Sequence, residues 1–155
     1  MKILVAFYSR TGTTQKVAMA LAEKLGADTE EIRDTIDRSG VKGYLISGRD
    51  AMKRRLTQLK PLKFDPSGYD LVIIGTPIWG WNVSVPTRTY VEENRHKFRQ
   101  VAFFCTMGGS GDNKAFLEME KIIQKKPLAT LALKTVEVTK GNFSEKLKSF
   151  SESCD

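Results

Sequence analysis

Histidine and cysteine are scarce in this chain, and that scarcity removes several chemistries at once. The one histidine, His96, lies in the polar run Glu92-Glu93-Asn94-Arg95-His96-Lys97 and reads as a surface residue. The two cysteines, Cys105 and Cys154, are far apart and show neither metal-ligand nor CxxC spacing. Zinc hydrolysis and Ser-His-Asp catalysis therefore find no residues to carry them, and no metal site or catalytic side chain is expected. The cysteines read as a buried thiol and a tail thiol in a reducing compartment. Long apolar runs are missing too, since none reaches the about 18 residues of a membrane helix. The apolar start, Met1 to Tyr8, runs straight into Ser9-Arg10-Thr11-Gly12 with no small-residue cleavage site. It reads as a buried strand, not a signal peptide, and the expected location is the cytoplasm.

What is present suits a single domain over residues 1–155, with no repeat, low-complexity tract or linker. A hydrophobic share of 41% and a charged share of 28% are ordinary for a soluble globular chain. The net charge of +7 is unevenly spread. Residues 42–63 hold Lys42, Arg49, Lys53, Arg54, Arg55, Lys60 and Lys63 against Asp50 alone, which puts +6 in that segment.

Continuous β-prone apolar runs at 2–8, 70–75 and 100–105 predict strands covered on both faces. A weaker strand candidate spans 28–33, and a last one spans 129–138. Helical spacing marks 13–25 through Val17, Ala18, Leu21, Ala22 and Leu25, with Gly26 as a stop. It marks 112–125 as well, with Asp112 as N-cap. Further helices are predicted at 86–98, beginning on Pro86, and at 143–153, capped near Ser144. The irregular stretch 37–68 holds an amphipathic candidate at 43–59, with Leu45, Met52, Leu56 and Leu59 on one side. Strands alternating with helices predict an α/β fold with a parallel sheet between two helical layers.

In such a sheet, ligands sit beyond the carboxyl ends of the strands, so the loops there carry the chemistry. The first, Ser9-Arg10-Thr11-Gly12-Thr13-Thr14, sets four hydroxyls and a glycine at the start of a helix. Unpaired amides and the helix dipole make that a phosphate cradle, though neither GK[ST] nor GxGxxG is present. The second, Thr76-Pro77-Ile78-Trp79-Gly80-Trp81-Asn82, offers two aromatic rings beside a glycine, for stacking on a flat ligand or for plugging into the core. The third, Thr106-Met107-Gly108-Gly109-Ser110-Gly111-Asp112, has three glycines and many free backbone groups. One loop suits a phosphate, and two suit a planar polar ring. Together they describe FMN.

Over essentially its whole length the sequence resembles the flavodoxin family. The family's phosphate motif, [ST]-x-T-G-x-T, is matched by Ser9, Thr11, Gly12 and Thr14, with Thr13 placed to join them. Its aromatic loop is matched by Thr76, Pro77, Trp79 and Gly80, and its third loop in position by Thr106 to Asp112. The resemblance implies a three-layer α/β/α sandwich on a five-stranded parallel sheet in the order 2-1-3-4-5. It implies non-covalent FMN, with backbone groups at Gly80 and Trp81 near flavin N5 and amides of Thr106, Met107, Gly108 and Gly109 at the pyrimidine end. The chain departs from the family in three ways: a third loop without an aromatic, a basic charge, and an insertion at about 37–68.

Function then divides three ways. An electron-transfer protein working through FMN is the main expectation. An FMN-dependent NAD(P)H or quinone oxidoreductase is the alternative, favoured by an open flavin face. A flavin-free signalling module of receiver type needs acidic residues after the first strand, where Ser9-Arg10-Thr11 stands instead. The basic segment reads as a solvated face, as a dock for an acidic redox partner or small anionic acceptor, or as a membrane-surface contact. Nothing resembles a nucleic-acid-binding element, and no integral membrane association is expected.

Overall fold

The computed structural model describes residues 1–155. Five parallel strands form the centre: β1 (Ile3–Phe7), β2 (Asp28–Glu31), β3 (Leu71–Trp79), β5 (Gln100–Met107) and β6 (Thr130–Lys134). Their spatial order is β2-β1-β3-β5-β6. The parallel strands, counted along the chain, therefore run 2-1-3-4-5 as expected. A sixth, β4 (Asn82–Val83), is a two-residue antiparallel return paired with Ile78 and Trp79. It is too short to show a period in sequence.

The apolar runs are buried on both faces because helices cover both. Ile3, Val5 and Phe7 of β1, with Ile73 and Phe104, pack beneath α1 (Thr13–Leu25), α5 (Thr135–Lys140) and α6 (Ser144–Ser153). Leu4, Ala6, Val72, Ile74 and Phe103 point the other way, toward α3 (Val85–Asn94) and α4 (Asp112–Ile123). Successive residues of a strand face opposite sides, so one continuous apolar run feeds both cores. No helix is long and apolar enough to cross a membrane.

Several expectations are corrected. The predicted strand 129–138 ends at Lys134, and α5 follows at once. The Glu137 carboxylate accepts from Lys134 N at 2.8 Å and starts that helix despite the β-prone Thr135-Val136. Gly111, not Asp112, caps α4, and Phe143, not Ser144, precedes α6. Cys154 is no tail thiol; it is buried in the α1–α6 core.

The largest correction is α2, which spans Gly40–Met52 rather than 43–59. Its end follows from Lys53 as C-cap and Arg54 at φ 53, a left-handed conformation that stops a helix. Its buried side is Gly43, Ser47, Asp50 and Ala51. Leu45, Met52 and Leu56, predicted as its apolar face, are exposed.

Candidate functional site

The carboxyl ends of β1, β3 and β5 lie side by side, so the three loops that follow them meet at one edge of the sheet. In the first loop, Ser9 Oγ accepts from Gly12 N and Gln15 N, each at 3.1 Å. That ties the chain into a turn whose N-cap, Gly12, is left-handed at φ 98. The first bond back into the turn is Lys16 N to Gly12 O at 3.0 Å. The amides of Thr13 and Thr14 consequently donate to nothing in the protein, and the Thr11 and Thr13 hydroxyls are unengaged. This end of α1 gathers free donors around one spot with no acidic residue in its first turn.

Thr14 behaves differently from its neighbours. Its side chain is buried, and its hydroxyl lies 2.8 Å from that of Thr106. Thr14 thus offers an amide to the cradle and uses its hydroxyl to join the first loop to the third. Arg10 also turns away, donating to Arg38 O at 3.0 Å and lying over the Tyr44 ring at 5.4 Å.

The second loop separates its two tryptophans. Trp79 is buried, edge-on to Tyr8 with ring centres 5.4 Å apart, and beneath the Arg38 guanidinium at 5.3 Å. Trp81 is 61% exposed. Between β3 and β4 the chain reverses through Gly80 at φ 54 and Trp81 at φ 64, the two positive φ angles of a type I′ turn. Gly80 takes that conformation freely, whereas a tryptophan there is strained by about 1 kcal/mol or more. The turn sets an indole in solvent at the rim of the site. Its Nε1 donates to Ser110 Oγ at 3.0 Å. Thr76 is buried and pins the base of the loop, accepting from Ser84 N at 3.1 Å.

The third loop runs past Met107, exposed Gly108 and Gly109, and Ser110 to Gly111 and Asp112. Gly111 has φ 110, and a Cβ there would lie 2.8 Å from Ile78 Cγ2 and 2.9 Å from Trp81 Cα. Only glycine lets this loop close against the second. Met107 O accepts from the Thr135 hydroxyl at 3.2 Å. Behind the loop, burial first and the nearby Asp112 charge second push the Cys105 thiol up to about 12. It is a core residue, not a nucleophile.

Two adjoining clefts result. One, about 180 Å³, is walled by Ser9 to Thr11, Thr13 and Thr14, by Pro77 to Trp79, and by Thr106 to Gly108. The other, about 600 Å³, opens between α2 and the Ile78-Trp79-Gly80 strand end. Tyr44, Ile78 and Trp79 line both, so they form one trough. All three predicted loops reach this edge, although Gly12, Thr76, Trp81, Gly109 and Asp112 line neither cleft and Gly80 lines only the larger one.

Sequence reasoning missed Tyr44, Thr135 and Arg38. Arg38 is buried, with Nε donating to Asp34 at 3.0 Å, one terminal nitrogen to Ser47 at 3.1 Å, and Asp50 at 3.7 Å. The signal for Tyr44 was present in Gly43, Ser47 and Ala51, small residues at every fourth position, which mark the packed face of α2 and leave Tyr44 beside it.

A family model described as Flavodoxin matches residues 2–152. No curated protein sequence matches the chain. Among solved structures, it is similar to a flavoprotein of Lactobacillus acidophilus in complex with FMN, at 23% identity and a TM-score of 0.71, covering 90% of this chain and 97% of that one. A Bacteroides uniformis protein gives a TM-score of 0.79 at 22% identity, with 97% of each chain covered. A flavodoxin of Streptococcus pneumoniae gives 0.61 at 15% identity, over 99% of this chain and 97% of that one.

Proposed function

From the premise that this chain belongs to the flavodoxin family, we propose that it holds one FMN non-covalently and passes electrons through it. The observation that carries this reading is the cradle at Thr11 to Thr14, where the Thr13 and Thr14 amides and the Thr11 and Thr13 hydroxyls lack protein partners, beside a trough floored by Ile78 and Trp79. A phosphate dianion suits that donor set, and a flat ring suits the apolar strand end and the glycine-rich Met107-Gly108-Gly109 backbone. When bound, FMN supplies one- and two-electron transfer. The protein's own part is to fix the phosphate at Thr11, Gly12, Thr13 and Thr14, to hold the ring against Ile78 to Trp81, and to exclude water with Trp81. No acid or base side chain is assigned a role.

Residues 1–155 act in this reading as one domain, with 37–68 as an addition that brings Tyr44 to the trough. The electron partner is an acidic redox protein or a small anionic acceptor, because Arg49 and Lys53 of the basic segment line this same trough. A cytoplasmic setting suits two buried, unpaired thiols.

The test is the visible spectrum of the purified protein, followed by titration of the flavin-free form with FMN and with riboflavin. FMN should bind far more tightly, and Thr13→Ala should narrow that gap while leaving riboflavin unchanged. A colourless protein that ignores added FMN overturns the reading. Stopped-flow mixing of the flavin-loaded protein with NADPH separates carrier from reductase: no rapid bleaching is expected of a carrier.

A further inference from the structure

The larger cleft raises a question that the cradle does not answer. Helix α2 turns Tyr44, Leu45 and Met52 outward, 62%, 64% and 65% exposed, in a chain with ample core to bury them. They are not scattered, for they line a single concavity of about 600 Å³ with Ile78 and Trp79. That volume lies within the range of small-molecule sites. Gly48 stands in the middle of the helix wall. A Cβ there would meet no atom within 4 Å, so packing against the protein does not require glycine. Glycine in a helix interior costs about 1 kcal/mol against alanine, and what it provides here is space.

The charge around this space has one sign. Arg49 and Lys53 are the ionisable groups other than tyrosine that line the cleft, and no carboxylate does. The nearest acid, Asp50, faces away into the protein and is shared by Arg38, Arg49 and Arg55 at 3.7, 3.3 and 3.3 Å. Arg38 is also paired with Asp34 at 2.9 Å, so two carboxylates face three guanidiniums, and with Lys53 the mouth keeps an excess of positive charge. A second copy of the chain is a poor occupant, because it would bring the same +6 segment against itself.

We infer that this cleft binds a small planar aromatic anion, its ring against Tyr44, Leu45 and Met52 of the helix wall and its charge toward Arg49 and Lys53. Aromatic and thioether walls favour a flat, polarisable ring, and a half-exposed guanidinium favours a carboxylate or sulfonate. The inference rests on the FMN reading, which assigns the neighbouring cradle to the cofactor's own phosphate and makes this cleft the place for its acceptor.

The test is calorimetric titration of the FMN-loaded protein with 2-naphthoate and with 2-naphthamide, a charged and an uncharged ligand of one shape, while the flavin spectrum is recorded. Naphthoate should bind about tenfold more tightly at low salt, the worth of one charge-assisted contact. That preference should shrink at about 0.5 M salt, where screening shortens the reach of charge. Arg49→Gln with Lys53→Gln should erase it, and Gly48→Leu should weaken both ligands without releasing FMN. Equal affinities, no binding, or an unchanged preference in the double variant overturn the inference. Release of FMN by naphthoate overturns it too, since the cleft is then the cofactor's own. Binding that fades as protein concentration rises identifies a second copy as occupant and likewise overturns it. A protein that holds no FMN shows its failure in the spectrum, while the heats of naphthoate and naphthamide still report on the cleft.

Discussion

The hydroxyls of Thr14 and Thr106 lie 2.8 Å apart, although 92 positions separate them in the chain. This buried bond couples the loop after β1 to the loop after β5. Replacing Thr106 by valine strands the Thr14 hydroxyl without a partner and should cost about 1–3 kcal/mol in urea unfolding. Thr14→Val together with Thr106→Val should cost less than the sum of the single changes, because no orphan remains.

Gly111→Ala should be damaging out of proportion to one methyl group. The residue is left-handed, and the new Cβ meets Ile78 Cγ2 at 2.8 Å and Trp81 Cα at 2.9 Å. A loss of about 1–3 kcal/mol is expected from the backbone conformation alone. FMN affinity should fall with it, as the second and third loops are forced apart. Fluorescence titration with FMN reads the second effect separately from stability.

The two tryptophans should part company under mutation. Trp79→Ala removes a buried ring and should cost about 3–5 kcal/mol. Trp81→Gly relieves the strain of φ 64 and should raise stability by about 1 kcal/mol. It should weaken FMN binding all the same. A Trp81→Gly protein with lower thermal stability and unchanged FMN affinity contradicts both halves of the expectation.

Alkaline pH should destabilise the fold through Cys105. Burial first and Asp112 second push its thiol from an ordinary 9.0 up to about 12. Below pH 9 the thiol is protonated in the folded and unfolded chains alike, and its contribution is fully present. As pH rises from about 9 to about 12, the unfolded chain gives up the proton and the folded one keeps it, so stability is lost over that window. Cys105→Val should flatten this part of the pH profile measured by thermal unfolding.

The strands and loops were readable in sequence because their signals are local. A parallel strand covered twice is a plain apolar run, as in Leu71 to Ile74, and the hydroxyl-rich turn that starts α1 is a plain cluster of Ser and Thr around Gly12. Helix α5 was hidden because Thr135-Val136 favours a strand, and a single carboxylate, that of Glu137, decided otherwise. The facing of α2 was unreadable from its leucines, since apolar periodicity assumes that apolar residues go inward. Thr135 reaches the site only through tertiary placement, which spacing along the chain does not encode, whereas Tyr44 was legible only from the small residues beside it.

The inverted facing of α2 also governs how that helix is held. Its inward side carries glycine, serine, aspartate and alanine, and its attachment runs through the Asp34–Arg38–Asp50 cluster and the Arg54–Glu118 pair at 3.2 Å. Removing Arg38 by Arg38→Gln strips the buried Asp34 carboxylate of its guanidinium partner, while Asp50 keeps Arg49 and Arg55, and should cost about 3–5 kcal/mol. Little apolar surface is exposed when such a helix lifts off, so the opening should carry a small heat capacity and a shallow denaturant slope. Its amides should exchange with solvent through a sub-global event that leaves the sheet closed, faster at high ionic strength and slower when the trough is filled. The helix that bears the basic charge would thereby serve as a hinged wall, its mobility set by salt and by occupancy rather than by the stability of the core.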